Sequence, residues 1–190
     1  MAYRILGNQT FKSKNKELVS LREQDLTLIK DWRNSQRDVL RTQKILTDND
    51  QINYFRNVIA SDFSEDNPRQ ILVSYLEDGQ CLGYGGLTNI DWSSQRAEVS
   101  FLMKTSITLD HTIYQKYFGE YLALLKKLAF KHIGLNRLFT ETYDLRPWHI
   151  AVLERSGFRL EGRMREHVKI NGEYVDSLLH GCLRTDEVQK

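Results

Sequence analysis

Two cysteines and two prolines among 190 residues are too few for a disulfide-stapled or proline-rich chain. Cys81 and Cys182 lie far apart and are expected as two buried thiols of a cytoplasmic protein, a single bridge between them being the alternative. Nowhere do about 18 apolar residues run together, so no membrane-spanning helix and no membrane partner are expected. Met1-Ala2-Tyr3-Arg4 lacks the apolar core of a secretory leader. Neither sign of charge is in excess: 27 basic against 25 acidic residues leave +2, with no basic stripe, which disfavours a nucleic-acid partner. No His/Cys cluster has metal-ligand spacing, so no metal is expected. Internal repeats, low-complexity tracts and linkers are absent too. What remains is a chain of ordinary composition, long enough for one domain that buries roughly 70% of its unfolded surface. Its boundaries read as a polar, basic N-terminal arm over 1–17, either frayed or an added edge strand, a domain over 18–184, and a disordered tail over 185–190.

Local patterns supply the elements. Leu18-Val19-Ser20-Leu21-Arg22 alternates as a strand. Asp25 starts a helix carrying Leu26, Ile29 and Trp32 at helical spacing. Asp48, behind Thr47, caps a second helix with Ile52, Phe55, Val58 and Ile59 on its apolar side. Gln70–Leu76, ending at Asp78-Gly79, then Cys81–Ile90 with Gly83, Gly85 and Gly86, then Gln95–Met103 read as three strands. In the last, Ala97, Val99 and Phe101 share one face, and Glu98, Ser100 and Leu102 the other. The pattern predicts a long helix over about 114–132 with Phe118, Leu122, Leu125 and Ala129 on one stripe, capped by Gly134. A strand over 138–143 follows, then a short helix opened by Pro147, then a hairpin turning at Asn171-Gly172. The order is that of an α/β protein with a mixed sheet and helices on both faces.

The long stretch from Gly134 to Asp176 is the most specific. It contains Asn136-Arg137, Glu154-Arg155-Ser156-Gly157-Phe158, Glu161-Gly162-Arg163-Met164-Arg165, Asn171-Gly172 and Asp176. On these residues, with Trp32-Arg33-Asn34 in the first helix, the chain resembles the GNAT superfamily of N-acetyltransferases. It is similar to the branch holding ribosomal-protein N-terminal acetyltransferases and amino-sugar N-acetyltransferases. The resemblance implies a mostly antiparallel sheet of about seven strands with a V-shaped split, and acetyl-CoA as co-substrate. It implies direct attack of an uncharged primary amine on the thioester. The acceptor is then a small-molecule amine, a nucleotide-linked amino sugar being slightly favoured by Trp32-Arg33-Asn34, or a protein N-terminus. Exposed apolar edges serve as partner surfaces in this family, so a homodimer is one arrangement it implies.

The resemblance also assigns residues. Glu98 takes the strand position of a general base. Phe101, Leu102 and Met103 lie along the strand that pairs with pantetheine. The pyrophosphate loop aligns with Ile113–Phe118, putting Gln115, Lys116, Tyr117 and Phe118 against the coenzyme, with Arg146 at the start of the short helix. None of the loop's usual glycines is present. Either backbone amides still bind the diphosphate, with Lys116 or Lys104 adding charge, or the donor pocket is closed and the fold serves binding without catalysis. Where many members carry a tyrosine acid, this chain has Leu153. His149 is therefore a candidate acid, a surface histidine being the other reading, and Tyr143 is an auxiliary candidate beside a core role. Trp32, Arg33, Asn34 and Gly85 are candidate acceptor contacts; the alternatives are a core Trp32, a surface Arg33 and a simple bulge at Gly85. Arg165 and Asp176 are expected as a structural pair, and Arg22, Arg37 and Arg41 as solvated charges.

Overall fold

Asn171 and Gly172 take left-handed φ of 51° and 91°, the pair a two-residue I′ turn needs to match strand twist. They join β7 (Arg159–Ile170) to β8 (Glu173–Leu183), as expected. The computed structural model describes residues 2–7, 10–42 and 44–187. Its strands are β1 (Thr10–Ser13), β2 (Lys16–Ser20), β3 (Ile71–Glu77), β4 (Gln80–Asp91), β5 (Arg96–Met103), β6 (Arg137–Tyr143), β7 and β8. They form one sheet in the order β1-β2-β3-β4-β5-β6-β8-β7. Eight strands rather than about seven result from the first hairpin, where β1 pairs β2 at the sheet edge. Of the two forms expected for residues 1–17, this is the edge strand, and Tyr3 beside it is fully buried, its hydroxyl accepting from Leu72 N at 2.8 Å.

Every neighbouring pair is antiparallel except β5–β6. That parallel seam holds only three register pairs, Arg96↔Arg137, Ala97↔Leu138 and Glu98↔Phe139. Beyond Glu98 the two strands part, leaving the β5 edge from Val99 to Met103 without a strand partner on that side. This is the expected split, with Glu98 at its apex.

One sheet face is covered by α1 (Leu26–Ser35) and by α2 (Asp48–Tyr54), which runs through a π-helical turn, Phe55–Ile59, into α3 (Ala60–Asp62). Thr47, not Asp48, caps α2: its hydroxyl accepts from Asp50 N and the Asp50 carboxylate accepts from Thr47 N, a reciprocal capping box. After a short α4 (Thr105–Thr108), the long α5 (His111–Lys126) continues through a π-helical stretch to Ile133 and ends at Gly134, φ 82°. It covers the other face with α6 (Pro147–Arg155). Phe118, Tyr121, Leu122, Leu125 and Leu128 are essentially fully buried beneath it, each such side chain contributing roughly 1.5–3 kcal/mol. Both cysteines are buried thiols that form no disulfide with one another. No described helix is long and apolar enough to cross a membrane.

Two further expectations change. Asp176 pairs with Arg163 at 2.7 Å, not with Arg165, because a register shift between Met164 and Val168 turns the strand. Residues 185–187 of the expected disordered tail lie in a helical turn, and Glu187 pairs with the buried Lys126; 188–190 lie outside the described residues.

Candidate active site

A cavity of about 540 Å³ opens on the α1–α2 face of β4 and β5 and reaches into the split between β5 and β6. Cross-strand partners share a face, so Tyr84↔Leu102, Gly86↔Ser100 and Thr88↔Glu98 put these side-chain positions on one side of the sheet. Tyr84, Thr88 and Glu98 line the cavity, and α1, the segment after it and α2 roof it with Arg33, Arg41, Gln51 and Tyr54. On the β6 side its wall is Thr140–Tyr143, Arg146 and His149.

Glu98 is 8% exposed. One carboxylate oxygen accepts from Arg41 Nη2 at 2.6 Å and the other from Asn89 Nδ2 at 2.6 Å. The register between β4 and β5 slips between Thr88 and Asp91, and Asn89 sits there with φ 49°. Such a bulge re-aims a side chain, and asparagine tolerates the left-handed conformation. Arg41 also reaches Glu141 at 3.1 Å. It was expected as a solvated charge; instead it bridges β5 and β6 across the apex of the split. Arg22 likewise holds buried Asp25 at 2.8 Å rather than facing solvent alone.

His149 is buried at the start of α6, not on the surface. Its Nδ1 lies 2.7 Å from the Tyr114 hydroxyl, and its ring stacks on Phe118 at 4.3 Å. Phe118 stacks in turn on Phe101 at 4.7 Å, so an aromatic row runs under the split from β5 to α6. Burial, with Arg146 and His180 adding repulsion, holds the imidazolium form well below the ordinary histidine value. Burial pushes the Tyr114 phenol up to about 12, against the opposing charge of Arg146. At neutral pH this is a neutral imidazole hydrogen-bonded to a neutral phenol. Tyr143 lines the cavity, half-buried, its phenol raised by burial against the pull of Arg41.

The residues aligned with the diphosphate loop do not form a loop. Ile113–Phe118 is the first two turns of α5, so successive side chains point in different directions. Gln115 accepts from Arg155, Lys116 is exposed, Tyr117 donates to Glu77 at 2.9 Å on the β3 side, and Phe118 is the buried floor. The free amides at the helix start are taken by the Asp110 carboxylate, which accepts from Thr112 N at 2.9 Å and Ile113 N at 3.0 Å. Leu102 and Met103 are buried, and only Phe101 of that trio lines the cavity. Of the α1 trio, Arg33 alone lines it; Trp32 is core, and Asn34 clamps the following segment through Leu46 O at 2.9 Å and Leu46 N at 2.8 Å. Gly85 belongs to the α5 face: a Cβ there would overlap Ser100 O and crowd the Tyr121 hydroxyl, which donates to Ser100 O at 2.8 Å.

An open β5 edge, a split floored rather than plugged by Phe118, and Arg146 on its wall, in no ion pair among the described residues, fit an extended, anionic thioester donor. Together with the acid at the apex, this is the architecture of an acyl-CoA-dependent acyltransferase. The family model described as "Acetyltransferase (GNAT) domain" matches residues 18–179. The chain belongs to that family of N-acetyltransferases, whose co-substrate is acetyl-CoA. Its fold is similar to spermidine N-acetyltransferase from Vibrio cholerae in complex with CoA and spermine, at 16% identity and TM-score 0.78 over 93% of this chain and 100% of that one. It is also similar to a ribosomal L7/L12 alpha-N-protein acetyltransferase in complex with coenzyme A, at 14% identity and TM-score 0.73 over 92% and 97%. A probable GNAT acetyltransferase from Chromobacterium violaceum aligns at 16% identity and TM-score 0.74 over 95% and 88%. No curated protein matches the chain by sequence.

Proposed function

We propose that the chain acetylates a primary amine that enters the cavity beneath α1 and α2 and meets the coenzyme at the apex of the split. The observation that carries this reading is the position of Glu98, on the last register pair of β5 with β6 and inside the cavity. Acetyl-CoA supplies a thioester carbonyl reactive toward amines. The chain supplies position, a proton acceptor and exclusion of water. Asn89 and Arg41 fix both oxygens of Glu98, which takes the proton the amine must lose. The β5 edge from Val99 offers backbone groups to an extended arm. Arg146 offers the coenzyme's phosphates a cation, the amides at the α5 start being taken by Asp110. His149 and Tyr114 sit across the split; because His149 lines the cavity and Tyr114 lies behind it, the phenol's proton can reach the departing thiolate by relay through the imidazole, with Tyr143 as a cavity-lining hydroxyl.

Among amines, a small nucleotide-linked amino sugar is favoured over a protein N-terminus. Arg33 lines the wall with no acidic partner within ion-pair distance among the described residues, and a backbone amine need bring no anion to it. The test is thiol release from acetyl-CoA with a panel of amino sugars, their nucleotide conjugates, polyamines and peptides, with mass spectrometry of the product. Release that depends on an amine, with a 42-dalton gain on it, supports the reading. No release with any amine, and no acetyl-CoA binding by calorimetry, overturns it.

A further inference from the structure

The cavity carries opposite charge at its two ends. At one end Glu98 and Glu141, its only acids among the described residues, share Arg41. At the other, Arg33 Nη1 donates to the Tyr84 hydroxyl at 2.6 Å and Nη2 lies 3.4 Å from Thr42 Oγ1. Arg33 Nε is buried and has no hydrogen-bond partner among the described residues. Because the Tyr84 oxygen accepts from Arg33, its own O–H remains to donate. Arg69, exposed and in no ion pair among the described residues, lines the cavity too. The group thus offers N–H and O–H donors from a guanidinium and a phenol and no carboxylate. Burying part of a cation without a counter-charge costs free energy that a bound anion would return, and the planar guanidinium fork matches a phosphate.

Resting on the acetyltransferase reading, we infer that Arg33 and Tyr84 form an anion subsite for a phosphate carried by the amine acceptor. Tyr84 lies four residues from Thr88, the partner of Glu98, so the two ends are about 13 Å apart along the strand. The acceptor is then an amine with its phosphate well removed from the nitrogen. A free amino acid is too short to engage both ends. A polyamine would set a second cation against Arg33.

The test has two readouts. Inorganic pyrophosphate is titrated calorimetrically into protein saturated with desulpho-CoA, which blocks the coenzyme's own phosphate contacts. Arg33→Gln should weaken binding about tenfold to a hundredfold, the worth of a charge-assisted contact, with Arg33→Lys and Tyr84→Phe intermediate. Separately, kcat/KM is measured for ω-aminoalkyl phosphates of increasing chain length against the matching amino alcohols. Wild type should prefer the longer phosphates, and Arg33→Gln should lose that preference while still melting cooperatively. Equal pyrophosphate affinity in wild type and Arg33→Gln overturns the inference, as does a loss of rate equal for phosphates and alcohols. If no amine is acetylated while Arg33-dependent pyrophosphate binding persists, the subsite stands and the acetyltransferase reading falls.

Discussion

Replacing Glu98 by glutamine keeps the side chain's volume and removes its ability to take a proton. A positioned general base contributes about 10²–10⁴-fold, so kcat/KM for the amine should fall by that factor, or roughly 2.7–5.4 kcal/mol of barrier. The fold should barely notice. Arg41 is left with Glu141 at 3.1 Å, and its side chain is 55% exposed, so solvent screening holds the lost ion pair to about 1 kcal/mol or less. For a chain of this length that is a melting shift of about 2–4 °C. Affinity for acetyl-CoA should change by less than about threefold, because the proposed path of the coenzyme's arm runs along β5 beyond Glu98. Thiol release under saturating acetyl-CoA, calorimetric binding and a melting curve on one preparation decide the matter. Turnover within about threefold of wild type would remove Glu98 as the base. A melting point lowered by 10 °C or more would refute the energetic reasoning, since Arg41 would then have depended on Glu98 for burial.

Phe118→Ala removes the floor of the split from between Phe101 and His149; a loss of about 3–5 kcal/mol and a melting drop on the order of 10 °C are expected in calorimetry, and a loss below about 1 kcal/mol would show that the ring is not packed as described. Asn34→Ala frees the Leu46 backbone from both of its side-chain bonds and should raise KM for the amine several-fold, at a stability cost of about 1–2 kcal/mol; an unchanged KM would mean the clamped segment does not shape the acceptor end. The third expectation concerns pH. His149 has a folded pKa below its unfolded value of 6.5, so below pH 6.5 the unfolded chain binds the extra proton first. Its contribution is intact above 6.5 and is lost as pH falls toward the folded value, at up to about 1.4 kcal/mol per pH unit. Urea midpoints from pH 7.5 down to 5.0 should therefore fall less steeply in His149→Gln, and parallel profiles would contradict that burial.

Much of the fold was legible because its signals are local. Asn171-Gly172, Gly134 and Pro147 each mark a turn or helix end by their own backbone chemistry, and the structure puts turns or ends at all three. Glu98 stood out as a charge on an apolar strand. Its partners did not. Arg41 is 57 residues away, on a segment whose path is set by Asn34, and nothing in its neighbours distinguishes it from a solvated charge. Asn89 depends on a register slip that only strand pairing reveals. The shifted start of α5, expected at about residue 114 and found at His111, has a different source. Asp110 is an ordinary N-cap residue, but a cap is marked by one side chain, whereas the apolar stripe that marks the helix body begins about one turn later.

The β5–β6 seam has a mechanical consequence. To one side lies a five-strand antiparallel leaf, to the other a three-strand leaf, and three register pairs stitch them together. Small tilts of one leaf against the other would widen or narrow the mouth while leaving every antiparallel ladder whole. Arg41, spanning from Glu98 to Glu141, is a side-chain tie between the two leaves beside those three register pairs.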